Sequence, residues 1–351
     1  MIFRRVTEHL VGSAAAAIDR AVTRAVDSRS RRGGGSRLSV SHESRVAFLE
    51  RLIAEYPAAA SLEFFGAAPQ IEPIQRGVRD EGAVKVIDLT WSSAYVPYLA
   101  SYGERYLRVA ENGYAIARLF VRQRPRPMVV VIHGYMSGHL AIEERLWPLA
   151  ELDALGYDVA LFVLPFHGLR GPASGGRIPA FPGTDPRMTN EGFRQAMRDL
   201  RGLVAWLRAR GHAKLGLLGM SLGGYTAALA GTLESELDFL VPVIPLASIA
   251  DFARELGSLS ARAEHAAKEH ALLERVLSVV SPIALPPRIS PERVLVVGAR
   301  ADRVTPIAHA RRLANHFGAP LVAWHGGHLL QAGRRRSFER VFELLARVRD
   351  A

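Results

Sequence analysis

Lys214-Leu215-Gly216-Leu217-Leu218-Gly219-Met220-Ser221-Leu222-Gly223-Gly224-Tyr225 is the stretch on which the reading of this chain turns. Lys214 to Leu218 has the apolar composition of a short buried strand, and Tyr225 to Leu229, Ala-rich and free of breakers, begins a helix. Between them lies a G-x-S-x-G. Its logic is steric, because a serine on a strained strand-to-helix turn is pushed out of the sheet, and side chains at Gly219 and Gly223 would collide with the backbone. With 31 Gly in 351 residues the pattern alone is weak, so the flanking strand and helix supply the specificity. No second G-x-S-x-G occurs in the chain.

A serine hydroxyl displayed in this way needs a base to take its proton, and histidine titrates near the working pH. Twelve histidines compete. His328 follows Gly326 and Gly327 in the loop after the last apolar strand, from which it can reach back over the strand ends to Ser221. His325 is the reserve, nearer the strand and expected to be buried structure. His212, His265, His270, His309 and His316 fall in helical or helix-terminal contexts and read as surface residues. The imidazole in turn needs a carboxylate to hold its tautomer. Asp302, in the loop after the strand Val294 to Gly298, fits that place. Two alternatives stand beside it: Asp302 as a mere cap of the following helix, and Asp251 as the orienting acid. Ser221, Asp302 and His328 then run in the order Ser, acid, His. For an oxyanion, two backbone amides are at hand. One is that of Leu222, at the start of the helix after the serine; the other is that of Tyr135, in the turn His133-Gly134-Tyr135 after the strand Met128 to Ile132. Gly134 permits close approach there, and His133 reads as a residue that orients the loop.

Outward from this centre, short apolar runs alternate with helical stretches from Val84 onward, the pattern of an α/β protein with a parallel sheet and crossover helices. Eight strands are expected: Val84 to Thr90, Tyr114 to Val121, Met128 to Ile132, Asp158 to Leu164, Leu215 to Gly219, Phe239 to Leu246, Val294 to Gly298 and Leu321 to Trp324. Helices are expected over about Leu140 to Leu155, Glu191 to Arg210, Leu222 to Leu233, Ile307 to Phe317 and Ser337 to Val348. Active residues of such a sheet gather at the carboxyl ends of the strands. Two connections are long. Phe166 to Thr189, rich in Gly and Pro, reads as a functional loop, and Asp251 to Pro291, with a helical stretch from Ala253 to Val280, reads as a lid or as a packing helix.

Residues 1 to 36 form an appendage. Phe3, Val6, Leu10, Ala14, Ala17, Ile18, Ala21, Val22 and Ala25 recur at helical spacing over residues 1–30, with Arg4, Arg5, Glu8, Arg20, Arg24 and Asp27 opposite. Such a helix either docks on the body or makes peripheral contact with an anionic membrane. Gly33 to Ser36 reads as a joint, 37–83 as an N-terminal helical segment with a short helix at 42–56, and 84–351 as the main domain. The net charge of +11 favours polyanions in general, yet the basic residues are scattered and carry no nucleic-acid motif, so no nucleic-acid partner is expected. Cysteine is absent, which removes disulfides and thiolate chemistry. No run is apolar enough to span a bilayer and no cleavable leader is evident, so the expected location is the cytoplasm, at most peripheral to a membrane.

H-G-Y at 133–135, G-M-S-L-G-G at 219–224, D-R-V-T-P at 302–306 and G-G-H at 326–328, in that order and each at a strand end, resemble the α/β-hydrolase superfamily over about residues 84–350. The loop Leu164 to Gly168, its continuation to Thr189 and the run V-P-V-I-P-L at 241–246 resemble the α/β-hydrolase domain-containing proteins 18. The long N-terminal portion departs from the superfamily pattern. The resemblance implies a serine hydrolase, esterase or lipase-like, acting on a small-molecule or lipid carboxylic ester through an acyl-enzyme on Ser221, with no metal and no organic cofactor. Acyl transfer or peptide cleavage on the same triad remains open, as does a non-catalytic binding protein on the same fold.

Overall fold

The five residues Met128–Ile132 are all buried, because a parallel strand covered by helices on both faces has no solvent side to make polar. The strand belongs to a nine-stranded sheet in a computed structural model that describes residues 13–19, 41–57, 62–173 and 178–351. In chain order the strands are β1 (Ile74–Glu81), β2 (Val84–Ser92), β3 (Tyr114–Val121), β4 (Met128–Ile132), β5 (Asp158–Val163), β6 (Leu215–Met220), β7 (Phe239–Val243), β8 (Val296–Ala299) and β9 (Leu321–Trp324). Their spatial order is β1-β2-β3-β5-β4-β6-β7-β8-β9, antiparallel from β1 to β5 and parallel from β5 to β9. The chain reverses its direction of travel at β4, which lies between β5 and β6. Such a switch point opens a crevice at the strand ends. The architecture is the α/β-hydrolase fold.

The ninth strand, β1, is an addition to the eight expected. All of its residues are exposed, so no alternation of apolar and polar positions announces it. It pairs with β2 through a two-residue connection in which Gly82 takes φ 64°, and its charged side chains suit an unpaired sheet edge.

Helix boundaries differ where punctuation outweighs periodicity. The stretch Leu140 to Leu155 is two helices, Leu140–Leu146 and Leu149–Ala154, because Pro148 breaks it. The helix expected from Glu191 begins at Pro186. Asp185 caps it by accepting from Arg187 N at 3.0 Å, so the preceding loop is shorter than its composition suggested. The expected helical stretch Ala253 to Val280 is likewise two helices, Ile249–Glu255 and Ala263–Leu277. The second packs on the N-terminal helix His42–Glu55, where buried Glu269 accepts from Arg45 and lies 2.9 Å from His42 Nδ1.

Of the expected helix over 1–30, residues 13–19 are described and are helical; the Gly-rich joint lies outside the described residues. The buried face here is Ala15, Ala16 and Asp19, while Ala14, Ala17 and Ile18, on the face expected to be apolar, point outward. Among the described residues no helix is long and apolar enough to cross a membrane.

Candidate active site

Ser221 stands between β6 and the helix Leu222–Leu233 with φ 56° and ψ −114°. Its amide donates to Val243 O at 2.9 Å, and its carbonyl accepts from Tyr225 N at 3.0 Å, so both neighbours hold the turn. A Cβ at Gly219 would come within 2.1 Å of Gly223 O, and one at Gly223 within 2.1 Å of Ile132 O. Backbone carbonyls cannot yield that space, and only glycine fits at either position. Ser221 is one of five non-glycine residues with positive φ among the described residues. Three of the others, Met136 (60°), Phe166 (61°) and Ile244 (42°), follow β4, β5 and β7. Each costs about 1–3 kcal/mol, and strain so concentrated at adjacent strand ends marks a site.

Asp302, after β8, is 3% exposed and uses both carboxylate oxygens. Oδ1 accepts from Val304 N (2.8 Å) and Thr305 N (2.7 Å), while Oδ2 lies 2.9 Å from His328 Nδ1. Capping its own loop and orienting the imidazole are therefore not rivals, since each falls to a different oxygen. Thr305 Oγ1 completes the cluster at 3.0 Å from Asp302 Oδ2 and 3.1 Å from His328 Nδ1, and it also lies 3.0 Å from Ile244 O. With Nδ1 facing a carboxylate, the ring carries its proton there and leaves Nε2 free to accept. Gln331 Nε2 holds the same loop to the elbow, 3.1 Å from His328 O and 3.4 Å from Met220 Sδ. Among the described residues the hydrogen bonds of His328 run to Asp302, Thr305, Gln331 and Asp19, and none joins its ring to the Ser221 hydroxyl.

Asp251 sits elsewhere. Its oxygens face Arg254 and His270 on the helical segment after β7 and Arg312 on the helix Ile307–Phe317 after β8. Asp251, His270 and Glu274 come nearest to a metal-ligand set among the described residues, their ligand atoms within 4.8 Å of one another. Arg254 and Arg312 already neutralise Asp251, and Ser248 engages Glu274, so the cluster is satisfied as an ion-pair network. His325 is exposed rather than buried. His212 and His309, expected at the surface, are buried. His212 Nδ1 binds Arg126 O, while His309 Nδ1 accepts from Ala247 N and its Nε2 faces Glu255.

The turn after β4 lies against the elbow, for a Cβ on Gly134 would stand 3.5 Å from Ser221 Cβ. His133 Nε2 accepts from Leu164 N at 3.0 Å and Nδ1 donates to Gly134 O at 2.7 Å, which uses both ring nitrogens of the neutral form. Burial pushes its pKa down to about 4. His167, beside it, is pushed down to about 3 by burial and by the neighbouring imidazole. Glu143 pins the far side of this turn, accepting from Ser137 Oγ, Gly138 N (2.9 Å) and Trp147 Nε1 (2.9 Å). Leu222 is the first residue of its helix, so its N–H has no intrahelical acceptor and stands, with that of Tyr135 in the turn against the elbow, as a candidate donor.

Three participants escaped the sequence reading: Thr305, Glu143 and Asp19. Thr305 was visible within D-R-V-T-P, and Glu143 lay unremarked on a helix. Asp19 Oδ2 accepts from Arg303 N and His328 N across 284 and 309 residues, a separation no local pattern signals.

Comparison with known proteins follows the same lines. Residues 165–267 match the family model described as Alpha/beta hydrolase domain containing 18. Over 296 residues the chain is 31% identical to Uncharacterized protein Rv2627c of Mycobacterium tuberculosis (strain ATCC 25618 / H37Rv), covering 77% of this chain and 69% of that one. Among solved structures, acetyl xylan esterase 1 from Thermoanaerobacterium sp. JW/SL YS485 superposes with a TM-score of 0.57 at 17% identity, covering 87% of this chain and 94% of that one. The acetyl xylan esterase from Paenibacillus sp. R4 gives 0.54 at 17% identity, over 88% and 96%. At such identities these structures speak to the fold. The chain has the α/β-hydrolase fold, belongs to the family it shares with the Mycobacterium tuberculosis protein, and carries a region that matches the alpha/beta hydrolase domain containing 18 model.

Proposed function

We propose that the protein is a serine hydrolase that cleaves a carboxylic ester through an acyl-enzyme on Ser221. The observation that carries this reading is the pairing of His328 Nδ1 with buried Asp302 Oδ2 at the carboxyl ends of the strands, the end of the sheet where the strained Ser221 stands. With its proton fixed on Nδ1, His328 takes the Ser221 proton at Nε2 as Oγ attacks the ester carbonyl, and then returns it to the departing alcohol. Water, deprotonated by the same nitrogen, releases the acid and restores the hydroxyl. The amides of Leu222 and Tyr135 receive the oxyanion, the kind of donor whose removal costs about 10²–10³ in rate.

An apolar acyl group is the favoured substrate. Met136, Leu169, Leu329 and Leu330 are exposed large hydrophobic residues on the loops after β4, β5 and β9, the end of the sheet where Ser221 stands. Hydrolysis of p-nitrophenyl esters of increasing chain length tests the reading. Turnover should rise from acetyl to longer chains and vanish in Ser221→Ala. Equal rates for the wild type and Ser221→Ala would defeat it.

A further inference from the structure

The helical turns over 13–19 bring a carboxylate from the far N-terminus to the loop that bears His328. Asp19 is fully buried. Its Oδ2 accepts from His328 N at 2.8 Å and from Arg303 N at 3.1 Å, and its Oδ1 accepts from Leu329 N at 3.0 Å. Two consecutive amides of the histidine loop and one amide of the acid loop thus converge on one carboxylate. The approach depends on small residues, since a Cβ on Gly327 would lie 2.6 Å from Asp19 Oδ2 and 3.2 Å from Ala15 Cβ. Gly327 therefore serves close approach of a foreign helix as well as the turn before His328.

The two loops are already joined by backbone bonds, Arg300 N to Trp324 O (2.9 Å) and Ala301 N to Gly326 O (3.1 Å). Those lie on the strand side of Asp302 and His328. Asp19 ties the loops on the other side, at Arg303 and at His328 itself, so the imidazole is flanked by two fastenings. A charge-assisted N–H bond to a buried carboxylate is about twice as strong as a neutral one, which suits a part that must hold a ring to within a fraction of an ångström.

We propose that Asp19 is a positioning residue of the site: the N-terminal segment completes the hydrolase domain by clamping the histidine loop to the acid loop, and fixes the aim of His328 toward Ser221. It touches no substrate and acts through His328 alone. This rests on the function proposed above, and the tests separate the two.

In the full-length chain, Asp19→Asn keeps an acceptor without the charge and Asp19→Ala removes both. Ester hydrolysis should show kcat lowered about tenfold in Asp19→Asn and on the order of 10²-fold in Asp19→Ala, with KM unchanged within twofold. In a His328→Ala background the Asp19 substitutions should have no further effect on the residual rate, as expected for residues acting as one unit. An Asp19→Ala kcat within twofold of wild type overturns the proposal. So does an equal loss with and without His328, which would mark a general structural role. Amide hydrogen exchange reads the clamp without any activity: peptides covering 326–331 and 301–304 should exchange faster in Asp19→Asn, while those covering β4 and β6 should not change. Unchanged exchange at both loops refutes the clamp. Faster exchange in a chain that hydrolyses no ester keeps the clamp and removes the hydrolase.

Discussion

Asp302→Asn is the substitution that separates the orienting role of this residue from its structural one. Asparagine is nearly isosteric, and its carbonyl oxygen can keep the bonds from Val304 N and Thr305 N that Oδ1 now accepts at 2.8 and 2.7 Å. The amide nitrogen would then face His328 Nδ1 in place of the oxygen now 2.9 Å away. Two donors cannot share that bond, so the ring moves its proton to Nε2 and presents an N–H to Ser221 where a lone pair is required. In a well-studied serine protease the equivalent change costs about 10⁴ in kcat, and a loss of roughly 10³–10⁴ is expected here. Stability should suffer less. The two loop bonds weaken from charged to neutral acceptors, by about 1 kcal/mol each, and the pairing with the imidazole adds a similar amount, roughly 2–3 kcal/mol in all. The assay is paired: the second-order rate of fluorophosphonate labelling beside the thermal midpoint, measured for wild type, Asp302→Asn and Asp251→Asn. The expected pattern is a large drop in labelling and a shift of a few degrees for Asp302→Asn, with labelling unchanged for Asp251→Asn. Near-wild-type labelling of Asp302→Asn, or a collapse in Asp251→Asn, would show that the wrong carboxylate has been assigned.

Three further outcomes follow from the geometry. Gly223→Ala places a methyl 2.1 Å from Ile132 O, so the elbow cannot close; labelling should fall by more than about 10² or the chain should fail to accumulate as soluble protein, and a soluble, normally labelled variant would contradict the close packing. Arg170→Ala leaves Asp199, whose carboxyl burial already raises above its ordinary range, without the guanidinium 2.7 Å away, and urea unfolding should show a loss of about 3–5 kcal/mol; a loss below 1 kcal/mol would not fit a fully buried pair. His133 and His167 are held neutral, with pKa values pushed down to about 4 and about 3. Below about pH 6.5 the unfolded chain binds protons that the folded chain refuses, so the stability these rings supply is complete above about 6.5 and is lost as pH falls toward 4, by roughly 3 kcal/mol for His133 at that limit. The thermal midpoint should therefore drop between pH 6.5 and 4 more steeply in the wild type than in His133→Asn, and parallel curves would remove the cause assigned.

Much of this organisation is legible in residue types and spacing. The helices Leu222–Leu233 and Ile307–Phe317 have the expected bounds, the first starting at the glycine elbow and the second held between Pro306 and the left-handed Gly318. The central strands are legible as apolar runs because they are buried on both faces, though β7 stops at Val243 rather than Leu246, where Ile244 takes φ 42°, and β8 is Val296–Ala299 rather than Val294 to Gly298. β1 does not, for an edge strand exposed along its whole length carries no burial pattern, and its signal is the Gly82 hairpin turn instead. At the site, Ser221, Asp302 and His328 announce themselves through the glycines and loops around them. The residues that hold those three are quieter. Thr305, Glu143 and Asp19 act through hydrogen bonds whose partners are set by tertiary approach, and Asp19 reverses the expected orientation of its helix because three N–H groups outweigh the exposure of Ile18.

Mass spectrometry of the intact chain and of its peptides after reaction with a fluorophosphonate bears on the central claim most directly. A single adduct on Ser221, absent in Ser221→Ala and slowed in His328→Ala, is the expected result. An adduct on another residue, or none on a folded protein, would contradict the account.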